Sequence, residues 1–130
     1  MKISSKGRYA VRIMAELAKR GEFVSVSELS KSQGITVKYT EKIISMLLKA
    51  SLIVSVRGAQ GGYRLLRAPE EYSIREILSV TDDLPKLAPC LESEKKCERM
   101  GACPSIGCWE KLGGLITDYL QSVKLSDLVN

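Results

Sequence analysis

Leu52-Ile53-Val54-Ser55-Val56, Arg57-Gly58-Ala59-Gln60-Gly61-Gly62, Tyr63-Arg64-Leu65-Leu66 is the stretch that decides the fold. Its opening residues are apolar and rich in β-branched side chains, which suits a short strand. Glycines crowd the middle, where a chain reversal needs positive φ at little steric cost. Tyr63 to Leu66 then reads as a return strand. The expectation is a β-hairpin with Arg57 and Arg64 flanking its tip. Its meaning depends on what precedes it.

Upstream lie three segments of helical period. Ala10, Ile13, Met14, Leu17 and Ala18 recur at steps of three and four, and Gly21 is a natural stop. Ser25-Val26-Ser27-Glu28 fits a capping box, with Ser25 as N-cap and Glu28 reaching back. A short helix carrying Leu29 follows, and Gly34 ends it. A third helix opens at Ile35-Thr36 and turns Ile43, Ile44, Leu47 and Leu48 inward. Two helices joined by a short turn at Gly34 form a helix-turn-helix layout. A hairpin directly after that unit is a wing.

Downstream, Ser73-Ile74-Arg75-Glu76 predicts a second capping box and a helix carrying Ile77, Leu78 and Val80. Near residue 84 the composition shifts. Pro85 to Gly107 carry proline, glycine, charge and cysteine with little periodicity, which reads as a loop. Trp109, Leu112, Ile116, Tyr119 and Val123 then form a heptad-like seam, a candidate dimer interface, the alternative being a helix folded onto its own domain. Gly113 and Gly114 inside it suggest close approach of another helix, since each costs about 1 kcal/mol relative to alanine. The predicted class is mainly α with a small β-hairpin wing: a winged helix-turn-helix plus a long C-terminal dimerisation helix. The predicted division is residues 1–83 for DNA binding, 84–108 for a cysteine-bearing sensor loop, and 109–130 for the dimerisation helix and tail.

The bulk properties agree with a nucleic-acid partner. The 130 residues carry 20 Lys and Arg against 15 Asp and Glu, a formal net charge of +5. A basic balance favours an anionic partner. No apolar run is long enough for a transmembrane helix. The start, Met1-Lys2-Ile3-Ser4-Ser5-Lys6, lacks the apolar core of a signal peptide. The expected location is therefore cytoplasmic, with no membrane partner. Histidine is absent, and no nucleophile–base arrangement is visible, so an enzyme is not expected.

The predicted recognition helix exposes Thr36, Lys38, Tyr39, Glu41 and Lys42 near its N-terminus, the end that such helices present to base edges in the major groove. Lysine can meet guanine or phosphate, and glutamate can accept from cytosine N4. At the wing, Arg57 supplies charge, and Gly58 lets the backbone approach a phosphate. Ser4, Lys6 and Arg8, at the first helix, are further candidates for backbone contacts. The cysteines Cys90, Cys97, Cys103 and Cys108 are spaced C-x6-C-x5-C-x4-C. That spacing does not match the paired C-x2-C of a zinc ribbon. In a reducing compartment it leaves open an iron–sulfur cluster, another zinc site, a redox disulfide or inert thiols. Lys95, Lys96 and Arg99 nearby would lower thiol pKa values.

Several motifs together carry a family resemblance. They are Ser5-Lys6-Gly7-Arg8-Tyr9-Ala10-Val11, the wing Val56-Arg57-Gly58 with Gly61-Gly62-Tyr63, the block from Cys97 through Cys103 to Trp109, and the ending Leu125-Ser126-Asp127-Leu128-Val129. Over nearly its whole length the chain resembles the bacterial winged-helix regulators of the iron–sulfur cluster regulator (IscR-like) family. The resemblance implies a homodimer that binds double-stranded DNA, with repression as the expected sense. Members control genes of iron–sulfur assembly, cysteine metabolism or the nitric-oxide response. It implies DNA contacts at Thr36, Lys38, Tyr39, Glu41, Lys42 and Arg57. It also implies that three loop cysteines, here Cys90, Cys97 and Cys103, hold a cluster, with [2Fe-2S] favoured over [4Fe-4S]. Some members bind none. Two departures stand out. The first cysteine gap is one residue longer than in the type member, and the histidine serving there as fourth ligand falls at Ile106. An acidic ligand used by nitric-oxide-sensing relatives falls at Arg8, which leaves Cys108 as the substitute. The alternatives are a cluster-free regulator switched by thiol oxidation or by a partner protein, and a small metal-binding adaptor that acts through protein partners.

Overall fold

The computed structural model describes residues 2–82, 84, 87 and 102–129. Helix α1 (Ser5–Arg20) is followed by α2 (Val26–Gln33), α3 (Val37–Lys49), strands β1 (Ile53–Val56) and β2 (Gly62–Leu65), then α4 (Ile74–Val80) and α5 (Ile106–Ser122). Single 3-10 turns occupy Pro69–Glu71 and Leu125–Leu128. This is the winged helix-turn-helix expected from the sequence.

The helix ends are set by local chemistry. Ser4, Ser25, Thr36 and Ser73 each accept a backbone N–H three residues on, capping α1 to α4. Such a cap stabilises a helix end by about 1 kcal/mol. Gly21 and Gly34 close α1 and α2 in the left-handed region, at φ 65° and 67°. The two capping boxes form only in half, a correction to the sequence reading. Glu28 turns from Ser25 to the Arg20 guanidinium at 2.7 Å, and Glu76 turns from Ser73 to Arg67 at 2.8 Å. A charged partner holds a carboxylate more strongly than a lone backbone amide does.

The core gathers one face from each helix. Ile13, Met14 and Leu17 of α1 meet Leu29 of α2, Ile43 and Leu47 of α3, and Ile77 and Leu78 of α4. The chain returns after α5, and Leu125 is fully buried in the same core. Its amide donates to the Tyr72 carbonyl at 2.9 Å.

β1 and β2 pair antiparallel, with Ile53 opposite Leu65 and Val56 opposite Gly62. A third short piece joins them: Val24 and Tyr63 exchange both backbone hydrogen bonds, at 2.8 Å each. The tip-side end of β2 is thereby tied to the link between α1 and α2.

Helix α5 has no fully buried residue. The predicted seam divides between two faces. Val123 and Leu120 pack against the core, and Ile116 is half-buried. Trp109, Leu112, Leu115 and Tyr119 are 40%, 40%, 58% and 67% exposed. Leu115 thus replaces Ile116 in the outward stripe, because α5 lays its other face on its own domain. Among the described residues, and apart from the adjoining chain and the local backbone of α5, no atom lies within 4 Å of a Cβ placed on Gly114, and one on Gly113 meets only Leu87 Cδ1, at 3.5 Å. Among the described residues, no helix of the same subunit requires either glycine.

Candidate nucleic-acid interface and cysteine segment

Helix α3 has two unlike faces. Thr40, Ile43, Ile44 and Leu47 are buried. Lys38, Glu41, Lys42 and Ser45 are exposed, at the spacing of three and four that shares one helix face. Thr36 is exposed at the N-cap, where its Oγ1 accepts the Tyr39 amide at 3.1 Å. The positive end of the helix dipole sits there, which favours a phosphate. Among the described residues the ion pairs join Arg20 to Glu16 and Glu28, and Arg67 to Glu76. None neutralises Lys38, Lys42 or Arg57, whose exposed charges are available to an anion.

Tyr39 departs from the expectation of a freely exposed reader. It is half-buried, and its ring meets Tyr9 of α1 edge-on, with centroids 6.0 Å apart and planes at 89°. Ser45 was missed by the sequence reading. The signal was its place four residues beyond Glu41.

The wing tip is shaped by three glycines. Gly58 and Gly62 have φ of 121° and 146°, and a Cβ on Gly61 would collide with the Val56 carbonyl oxygen. The Gly61 amide donates to the Gly58 carbonyl at 3.0 Å, closing the turn. Arg57 is exposed beside it. Arg64 is not a second tip cation. Its guanidinium lies 4.8 Å from the Phe23 ring centroid, drawn to the π face at the base of the wing. Under the hairpin, the buried Tyr72 hydroxyl donates to the Leu52 carbonyl at 2.6 Å and accepts the Arg67 amide at 2.9 Å. The sequence reading singled out neither this pin nor the Val24 strand. The apolar dipeptide Phe23-Val24, between Gly21 and Ser25, is the signal for the strand.

Of the cysteines, Cys90 and Cys97 lie outside the described residues. Cys103 is half-buried just before α5, and Cys108 is exposed in its first turns. Cys103 Sγ lies 3.3 Å from Ser105 Oγ. That hydrogen bond, together with the amides of Ser105 and Ile106, holds the Cys103 thiol below its ordinary pKa, against an opposing effect of burial. Ile106 is half-buried and has no donor atom for a metal. Among the described residues no three potential ligands come together.

A helix-turn-helix with a glycine-tipped, arginine-bearing wing defines a winged-helix transcription regulator. The chain belongs to the Rrf2 family, described as iron-dependent transcriptional regulators, which matches residues 3–130. The regulator IscR of Aliivibrio salmonicida is 34% identical over 131 residues, covering 99% of this chain and 77% of that protein. Protein rrf2 of Nitratidesulfovibrio vulgaris is 31% identical, covering 99% and 87%. Among solved structures, CymR, the global cysteine regulator of B. subtilis, superposes with a TM-score of 0.79 at 32% identity, covering 99% of this chain and 96% of that one. IscR of T. potens does so with 0.78 at 34%, covering 99% and 86%. These relatives are transcription regulators and not enzymes. Among the described residues, no helix is long and apolar enough to cross a membrane.

Proposed function

We propose that this chain is a cytoplasmic, homodimeric repressor that reads specific DNA sequences with α3 and the wing. The observation that carries this reading is the unpaired polar face of α3, set against its buried face and followed by the Arg57 tip. Lys38, Glu41 and Lys42 reach base edges from the major groove, with Thr36 and Tyr39 at the entry of the helix. Arg57 and the backbone at Gly58 hold the sugar–phosphate chain. Residues 1–83 bind DNA, 84–108 sense and 109–130 dimerise. The outward stripe of α5 supports the dimer, because apolar side chains so exposed gain from a second copy.

The same reading gives the loop cysteines an iron–sulfur cluster, with [2Fe-2S] favoured. The chemistry of Cys103 fits a thiolate ligand, since its hydrogen bonds favour the charged form. Cys90, Cys97 and Cys103 would hold the cluster, with Cys108 in place of the ligand that Ile106 cannot provide. A bound cluster would supply an iron centre sensitive to redox state and oxidants. The chain's own part is to keep thiolates available, as the hydrogen bonds at Cys103 do.

A second reading is a cluster-free regulator switched by thiol oxidation. The exposure of Cys108, five residues after the activated Cys103, favours it. Anaerobic reconstitution with iron and sulfide separates the two. Stoichiometric iron and sulfide support the cluster, whereas a colourless protein with four titratable thiols supports the thiol switch. DNA reading is tested by selection from a random duplex library. Enrichment of one sequence, with affinity falling steeply as salt rises, is the expected result. No enrichment would overturn the regulator reading.

A further inference from the structure

Tyr9 and Arg12 of α1 lie against both sides of the helix-turn-helix junction. Arg12 Cζ sits 4.9 Å from the centre of the Tyr9 ring. The Tyr9 ring meets Tyr39, in the first turns of α3, edge-on at 6.0 Å. The Arg12 Nη2 also makes a long hydrogen bond, 3.5 Å, to the carbonyl of Gln33, the last residue of α2. One guanidinium therefore touches the C-terminal end of α2 and, through one ring, the N-terminal end of α3. Both contacts have a physical cause. A cation is favoured at the carbonyl end of a helix and over an aromatic face, and aromatic rings prefer the edge-to-face arrangement.

We infer that Tyr9 and Arg12 are positioning residues for sequence readout: they set the angle at which the first turn of α3 enters the groove. This rests on the DNA-reading proposal above. The stack is off-centre from the main core. Arg12 is exposed and Tyr9 only half-buried, so the stack can be removed without emptying the core around Ile13 and Leu17. Neither residue lies on the exposed face of α3. Their loss changes the pose of Lys38, Glu41 and Lys42 and removes none of those side chains. Base-edge hydrogen bonds need a defined pose, whereas phosphate contacts carry no sequence information.

The test uses the full-length protein, the duplex enriched from the random library, a set of its single-base variants, and one unrelated duplex of equal length. Arg12→Met and Tyr9→Leu are expected to lower affinity for the enriched duplex about tenfold, the scale of one mismatched base pair. Affinity for the unrelated duplex and the slope of affinity against salt should stay unchanged. Tyr9→Phe keeps the ring and should restore wild-type discrimination. Unchanged discrimination in Arg12→Met would overturn the inference, and so would a parallel loss on both duplexes in that variant. If Tyr9→Leu fails to fold, Arg12→Met, altered at an exposed side chain, decides alone. Failure of the wild-type chain to enrich any sequence is a separate result. It removes the DNA-reading proposal, and this inference falls with it.

Discussion

Gly62 lies against the backbone of Val24 so closely that a Cβ on it would collide with the Val24 carbonyl oxygen. Its φ of 146° belongs to the region that side chains resist. The wing is thus fastened to the α1–α2 link at a point where only glycine fits. Gly62→Ala should destabilise the protein by about 3 kcal/mol, from strained backbone and collision together. Gly58→Ala has a similarly unfavourable φ but open space around the added Cβ, and should cost about 1 kcal/mol. Urea denaturation of the pair checks the contrast, and equal midpoints would sink it.

Tyr72 pins the hairpin base from inside. Phe at this position keeps the ring but leaves the Arg67 amide without its partner and the Leu52 carbonyl with only the Leu66 amide, at 3.3 Å. Tyr72→Phe should cost about 2 kcal/mol, from one backbone amide left unsatisfied and one buried hydrogen bond lost. The denaturant midpoint should fall with the slope unchanged, since the surface exposed on unfolding stays the same.

DNA contacts of two kinds should separate by salt and by sequence. Arg57→Ala should weaken binding to every duplex and reduce the slope of log affinity against log salt by about 1. Glu41→Ala should instead narrow the gap between enriched and variant duplexes and leave the slope near its wild-type value. Fluorescence anisotropy over a salt series measures both. An Arg57→Ala protein with an unchanged slope would remove that arginine from the phosphate contacts.

The outward stripe of α5 gives a test of assembly. Leu115 is 58% exposed in one chain, so Leu115→Glu should leave the fold intact. In a dimer that covers the stripe, it places a charge in an apolar seam. Sedimentation should show the wild-type chain as a dimer and the variant as a monomer with the same thermal midpoint. A variant with wild-type mass would mean that the stripe is not the dimer face.

Cys103 should react as an activated thiol in the reduced, metal-free protein. A lowered pKa puts more thiolate at any pH below the ordinary thiol value, so alkylation of Cys103 should rise with pH at a midpoint below that of an ordinary cysteine. Ser105→Ala removes the largest cause and should move that midpoint upward. Mass spectrometry of iodoacetamide-treated protein across a pH series reads the position of the curve. An identical curve in the variant would show that Ser105 does not set the reactivity.

Much of the fold was legible in the chain itself. Apolar steps of three and four, Ser or Thr ahead of each of the first four helices, and glycines after the first two are local signals with local causes, so α1 to α4 and the hairpin follow from residues close in sequence. The same holds for the polar face of α3, since helical period alone separates Lys38, Glu41 and Lys42 from Ile43 and Leu47. What the tertiary structure decided depends on groups far apart in the chain. Glu28 leaves its cap for Arg20, Arg64 leaves the wing tip for Phe23, and Tyr39 turns half inward to Tyr9. Leu115, not Ile116, faces outward on α5. In the first three cases a side chain with two local options took the one stabilised by a partner beyond its own turn, and on α5 it is Ile116 that takes the inward place. A linear pattern records which side chains are near in sequence, and only packing records which ones meet.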